Sequence, residues 1–505
     1  MLFNSFEFLE FFLIVTTLYY VTPASLRWLL LLVASCIFYM ALMPMYILIL
    51  FGIILIDYTT ALFIEKASGR QRKLYLGISI ALNLGVLFFF KYYNFFASNV
   101  DQFCGAHHIP LYNLPILNIV LPLGLSFHTF QAMSYTIEVY SRRHTAERHI
   151  GIYTLYVMFY PQLVAGPIER PQNILPQLHS RITFSYENLL VGLRLMMWGL
   201  FKKVVVADRL SSHANPIFTH PENYHGLQLI AGVIAFTIQI YCDFSGYTDM
   251  ALGAARCMGF DLMINFRRPY FSKNIQEFWT RWHISLSTWF RDYVYIPLGG
   301  SRVSWWRRYV NIFIVFALSG FWHGANWTFL IWGLIHAAYY FIQLSFDGLL
   351  KNLKGWYTNA MQVRKKNKYE PFISSGHTDS YNLQIYVASV YISMVSWLIT
   401  FSAVSLAWIF FRAESVGKAW LILSKIFTAD KAFMNFFDLE FFRPFSIILS
   451  LLVCAYVFII ESFTDPHLRW FNDRVKTDIA FCCFTLFLLL SLGVYGHQTF
   501  IYFQF

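Results

Sequence analysis

The chain has 505 residues, of which 57% are hydrophobic and 20% aromatic, while only 13% carry a charge. Soluble domains carry about 25% charged residues, so a water-soluble globular enzyme is excluded and an all-α polytopic membrane protein is expected. The 38 basic residues against 27 acidic ones leave a net charge of +11. In a membrane protein that excess collects in the loops that set topology, so lipid is the expected partner and nucleic acid is not. The seven cysteines are odd in number and lack paired metal-ligand spacing, which predicts neither a disulfide framework nor a zinc site.

The first apolar run, Phe6 to Val21, has no basic residue ahead of it and carries Glu7 and Glu10, so it is expected as a retained helix rather than a cleaved leader. Further apolar spans follow at Trp28–Leu42, Tyr46–Phe63, Leu74–Phe96, Val120–Tyr140, Gly151–Val164, Tyr186–Val206 and Leu227–Tyr241. The second half adds Tyr309–Phe321, Trp327–Leu344, Leu383–Phe411, Phe445–Ile460 and Ile479–Tyr495. Several fall short of the roughly 20 residues that a crossing needs, which predicts about eleven transmembrane helices with re-entrant and interfacial pieces between them. Neither repeats nor an interdomain linker stand out, so residues 1–505 are expected to form a single integral domain.

Two connections are basic: Lys66, Arg70, Arg72 and Lys73 lie in one, Arg142, Arg143 and Arg148 in the other, and the stretch Asn99–Asn118 between them has neither Lys nor Arg. The positive-inside rule puts both basic loops in the cytoplasm, and three crossings back the N-terminus is then extracytoplasmic. The Lys-rich run VRKKNK after Gln362 also reads as cytoplasmic.

Polar groups at membrane depth cost several kcal/mol by order of magnitude unless paired or wet, so each one is a candidate functional residue. His323 lies where an apolar helix breaks, at Gly320–Asn326, before another begins. A neutral imidazole there suits a general base acting on a hydroxyl or thiol. His283 lies in the Trp-rich stretch Gln276–Tyr295. Read as one helix, that stretch gathers Phe278, Trp282, Leu286, Trp289, Phe290 and Tyr293 on an apolar arc, with His283 at its edge beside Ser287 and Glu277 within reach of Arg281. Asp57, Glu138, Asp243 and Asp249 sit near span ends or among Tyr, Ser and Gly and are expected to make interhelical hydrogen bonds. His213, His220 and His225 fall in a polar loop without metal-ligand periodicity, and Cys242 reads as a buried, inert thiol.

Six ordered blocks then carry a family resemblance: LPLGLSFHTFQAMSYTIEVY, PQLVAGPIERPQNILPQL, GLFKKVVVADRL, the run from YCDFSGYTDM through FWTRWHISLSTWFRDYVYIPLGGSR, SGFWHGANWTFLIWGLIHA and AWIFFRAES. Together they resemble the membrane-bound O-acyltransferases, in the bacterial alginate O-acetylation branch that is akin to the D-alanyl-transfer protein of teichoic acid synthesis. The likeness is densest between Leu121 and Ala338. It implies a ring of tilted helices around a tunnel, with His323 as the catalytic residue and His283 as its companion on a re-entrant helix. Trp282, Ser287, Trp322, Asn326, Tyr241 and Asp243 are the candidates for lining that tunnel or meeting substrate.

The resemblance further implies an acetyltransferase subunit of the bacterial inner membrane that moves acetyl from cytoplasmic acetyl-CoA toward a cell-envelope polysaccharide. No permanently bound cofactor is implied. A separate extracytoplasmic partner with an SGNH-hydrolase-like site would complete the transfer. The competing expectations are acylation of a lipid, a protein or a small molecule, a proton-coupled transporter, and a scaffold that only holds an acetyltransferase at the membrane.

Overall fold

The computed structural model describes residues 1–109, 114–366, 378–428, 444–463, 475–495 and 500–501, with side chains of 349–388 and a few helix-end residues left aside. Helices, and no strands, make up the regular structure of the described residues. In chain order they are α1 (Phe6–Val21), α2 (Arg27–Met40), α3 (Ile47–Lys66), α4 (Gly69–Leu87), α5 (Tyr93–Ala106), α6 (Leu125–Tyr140) and α7 (Ile150–Met158). Then come α8 (Pro171–His179), α9 (Tyr186–Phe201), α10 (Asp208–Thr219), α11 (Gly226–Cys257), α12 (Ile275–Arg281) and α13 (Ile284–Phe290). The rest are α14 (Trp305–His323), α15 (Trp327–Lys366), α16 (Thr378–Arg412), α17 (Val416–Phe427), α18 (Pro444–Phe463) and α19 (Val475–Leu492). Among the described residues, five helical stretches are long and apolar enough to cross a bilayer: Pro44–Lys66, Gly69–Ala106, Gly226–Cys257, Trp327–Gly348 and Ser389–Arg412. The shorter apolar helices include Arg27–Met40, Ser446–Ser462 and Asp478–Leu492.

Among the described residues, three π-helical turns interrupt or extend these helices, at Phe88–Tyr92, Lys202–Ala207 and Arg291–Tyr295. The first joins α4 to α5 and the second joins α9 to α10, so each pair runs as one long rod. The described chain divides into two compact units, one formed by Met1–Asn265, Trp322–Asn326 and Ser424–Phe505, the other by Phe266–Phe321 and Trp327–Leu423.

In the first unit, the α1 boundaries agree with the sequence reading, and Ser5 caps the helix by accepting the Phe8 N–H at 3.2 Å. Asp57 of α3 is fully buried and takes hydrogen bonds from Ser79 and Asn83 of α4, while Ser79 also reaches Thr136 of α6 at 3.0 Å. This polar knot ties three helices, as expected of Asp57. Glu138 pairs with Arg143 at 3.1 Å and accepts from Gln172 at 2.6 Å.

Helix α11 corrects the sequence reading, which ended its span at Tyr241. The helix continues through Asp243 and Asp249 to Cys257, because lysines of the adjoining π turn neutralise both carboxylates. Lys202 meets Asp249 and Lys203 meets Asp243, each at 2.6 Å. The α9–α10 rod likewise runs past Val206, so His213 is helical rather than in a loop, with Nε2 3.2 Å from the Ser446 hydroxyl. Helices α9 and α11 meet through glycines: a Cβ on Gly199 would stand 2.4 Å from the Gly246 carbonyl oxygen, and one on Gly192 would stand 2.6 Å from that of Gly253. Small residues let the two backbones touch, which is how helices associate where no hydrophobic drive exists between them.

In the second unit, α12 is capped by Asn274, which accepts the Glu277 N–H at 2.8 Å, and Glu277 pairs with Arg281 at 2.6 Å as its spacing predicts. Helices α14 and α15 approach through Gly320 and Gly333, where an added Cβ would lie 2.4 Å from the Phe329 oxygen and 2.3 Å from the Phe316 oxygen respectively. Gly320 therefore serves close packing, and the break itself falls between His323 and Trp327.

Candidate active site

His323 is the last residue of α14, and the non-helical link before Trp327 folds with the first unit. Its side chain is buried, with 5% of its surface exposed. With Trp322 it lines a cavity of about 340 Å³ whose other walls come from Met43, Lys91, the segment 120–127 and the pair Val164 and Ala165. That volume lies at the lower end of the range typical of small-molecule sites. Trp322 is held in place by aromatic packing against α6, stacked on Phe130 at 5.4 Å and edge-on to Phe127 at 5.3 Å.

The start of α6 builds a further part of the lining. Gly124 caps that helix in the left-handed region, at φ +75°, and a Cβ there would lie 2.7 Å from the Leu163 carbonyl oxygen. The same carbonyl accepts a hydrogen bond from Nε2 of the buried His128. One imidazole thus braces the wall while the other faces the cavity.

Lys91 comes from the π turn Phe88–Tyr92. Its Nζ donates to the carbonyl oxygens of Trp322 at 2.8 Å and His323 at 2.9 Å, and lies 5.9 Å from the centre of the Trp322 ring. The final carbonyls of a helix have no partner within it, and an ammonium group is a favourable cap at that negative end.

His283 belongs to the second unit and overturns the reading of Gln276–Tyr295 as one helix. The chain leaves helical geometry at Trp282 and takes a left-handed conformation at His283, φ +43°. A new helix then starts, with the Ser287 N–H donating to the His283 carbonyl at 2.9 Å. The break is held by packing: the Trp282 ring is stacked on Phe278 at 5.6 Å and lies 5.0 Å from Trp408. His283 is consequently fully buried rather than at a boundary with water. Ser287 donates to the Trp282 carbonyl at 3.1 Å and lines a separate, mostly apolar cavity of about 270 Å³ with Trp279, Phe290 and Phe316.

Tyr241 and Asp243 do not line the His323 cavity. Tyr241 donates to Glu461 at 2.8 Å, beside Lys202, and Asp243 binds Lys203 and accepts the Ile501 N–H at 2.7 Å. Asn326 is half-buried in the link before α15. Lys91, Lys202 and Lys203 were not singled out from sequence. A lysine in an apolar helix was the available signal, since such a residue needs a partner or a wet cavity.

The sequence profile of the membrane-bound O-acyltransferase (MBOAT) family matches residues 149–366. A probable alginate O-acetylase, AlgI, of Pseudomonas aeruginosa is 34% identical over 472 residues, covering 92% of this chain and 83% of that protein. A peptidoglycan O-acetyltransferase of Helicobacter pylori is 34% identical over 420 residues, 78% of this chain and 72% of its own. A teichoic acid D-alanyltransferase of Bacillus subtilis is 30% identical over 237 residues, 44% of this chain and 59% of its own. With likeness of that extent on an all-helical, multi-pass architecture, the chain belongs to the membrane-bound O-acyltransferase family and is an acyltransferase.

Proposed function

We propose that this protein is the O-acetyltransferase subunit that carries acetyl from cytoplasmic acetyl-CoA to a polysaccharide of the cell envelope, in the inner membrane and with its N-terminus outside. The observation that carries this reading is the setting of His323, a buried imidazole at a helix break that faces a cavity instead of being sealed by side chains. Two relatives bear names that denote O-acetylation of envelope polymers, alginate and peptidoglycan. Basic loops suit a cytoplasmic face that meets the CoA phosphates.

In this reading His323 accepts the proton of the attacking hydroxyl as its oxygen bonds to the thioester carbonyl carbon. Collapse of the tetrahedral adduct then breaks the C–S bond, and the imidazolium returns its proton to the departing thiolate. His283 positions the acyl donor, with Trp282 and Ser287 beside it. An extracytoplasmic SGNH-hydrolase-like protein receives the acetyl group and completes its delivery.

The test is His323→Ala expressed in place of the wild type. Polymer O-acetyl content is expected to fall to background while the amount of protein in the membrane is unchanged. Wild-type acetylation in that variant would overturn the role of His323, and acetyl appearing in lipid instead of polymer would overturn the acceptor.

A further inference from the structure

We propose that Lys91 is the electrostatic partner of His323, holding its unpaired positive charge against the acyl oxygen of the bound thioester; the inference rests on the function proposed above. Three observations support it. The ammonium group spends two N–H bonds on the carbonyls of Trp322 and His323, at 2.8 and 2.9 Å. Those bonds fix the backbone that carries the imidazole and leave a third N–H on a group that lines the same cavity. No carboxylate among the described residues pairs with Lys91, so its charge is not cancelled as those of Lys202 and Lys203 are.

An unpaired ammonium at membrane depth is costly, and a helix end can be capped by neutral donors as well. A positive charge is useful there if negative charge forms beside it. When a hydroxyl adds to the thioester, the C–O bond forms at the carbonyl carbon and the carbonyl electron pair moves onto oxygen, giving an oxyanion that lasts until the C–S bond breaks. A cation already in place stabilises that oxyanion without reorganisation. Lys91 and His323 are the titratable residues lining the cavity; His128 stands behind the wall with its Nε2–H committed to the Leu163 carbonyl. The π turn at Phe88–Tyr92 carries Lys91, and such turns recur at functional positions.

The test uses membranes from cells that express the full chain with its own acetylation system, supplied with radiolabelled acetyl-CoA, and follows label entering the envelope polymer. Lys91→Met is expected to lower the maximal rate about 100-fold with KM for acetyl-CoA within about threefold. Lys91→Arg, which keeps the charge, is expected to stay within about tenfold of wild type. In Lys91→Met the acid limb of the pH–rate profile moves up by about one pH unit, because the cation no longer opposes protonation of His323. A variant Lys91→Met with wild-type rate and pH profile per folded molecule would overturn the inference, even if its melting temperature in detergent fell, and would leave His323 in its role. Label transfer by His323→Ala, or none by the wild type, would overturn this inference together with the function on which it rests.

Discussion

Gly124 illustrates how a single residue shapes the cavity. Its φ of +75° is costly for any side chain, and an added methyl would meet the Leu163 carbonyl and the His128 ring. Gly124→Ala is expected to cost about 1–3 kcal/mol from backbone conformation alone and to lower acetylation by displacing the wall, as read from thermal melting in detergent and polymer acetyl content. In the link between α6 and α7, Glu147 accepts hydrogen bonds from His179 at 2.7 Å and from the His149 N–H at 2.8 Å. Burial pushes its carboxyl up, yet these bonds outweigh burial and hold it below the ordinary carboxylate range. The stability it contributes is therefore present above the usual glutamate value of about 4.3 and is lost as pH falls through the lowered one. His179→Ala should flatten that acid-side loss in a pH series of melting temperatures. His323 was legible in the sequence because two flanking glycines and a broken apolar run mark it. Lys91 was not, because its meaning depends on two carbonyls more than 200 positions away. The left-handed backbone of His283 was equally hidden, since neither glycine nor proline announces it.

Paired elements, rather than single residues, decide where the α9–α11 seam runs. The facing glycines 192 with 253 and 199 with 246 leave no room for a Cβ, so Gly199→Leu should force the helices apart and abolish accumulation of folded protein, measured by size-exclusion profile in detergent. The same seam carries the buried ion pairs. Removing one partner of such a pair leaves the other charged and alone, at a cost of about 3–5 kcal/mol. Lys202→Met is thus expected to lower the melting temperature sharply, and Lys202→Met with Asp249→Asn should recover part of the loss. Most helices were legible from apolar runs, and α1 from its first residue to its last, but α8, α10 and α17 fall outside those runs and were not. The far end of α11 was not, because Asp243 and Asp249 look like a loop until the lysines that neutralise them, about 40 residues earlier, are brought alongside.

At the scale of the whole molecule, the sequence predicts that the two basic loops share one side of the membrane. The first unit ties them directly: Arg72 donates to the Val139 and Tyr140 carbonyls at 3.0 and 2.7 Å, and Arg148 pairs with Glu65. Cysteines placed at Ser68 and Ser141 in a cysteine-free background should accordingly be labelled by an impermeant thiol reagent from the same face, and one at Asn99 from the other. Labelling of Ser68 and Ser141 positions from opposite faces would overturn that arrangement. The Lys-rich run after Gln362 begins at the end of α15, with its last two residues outside the described residues, and adds nothing to it. The three π turns, finally, have a consequence for how this chain tolerates change. Each contains cationic side chains, Lys91, Lys202 with Lys203, and Arg291, and each amounts to one surplus residue wound into a helix. Deleting a single amino acid from such a turn would remove the surplus residue and restore ordinary winding with the downstream residues keeping their facing, whereas the same deletion in an ordinary α-helical stretch would swing everything downstream by about 100°. A one-residue deletion is therefore expected to be better accommodated in the π turn than in the α-helix on either side, and a deletion scan read by the amount of folded protein should show positions 88–92 as a tolerant window between intolerant neighbours.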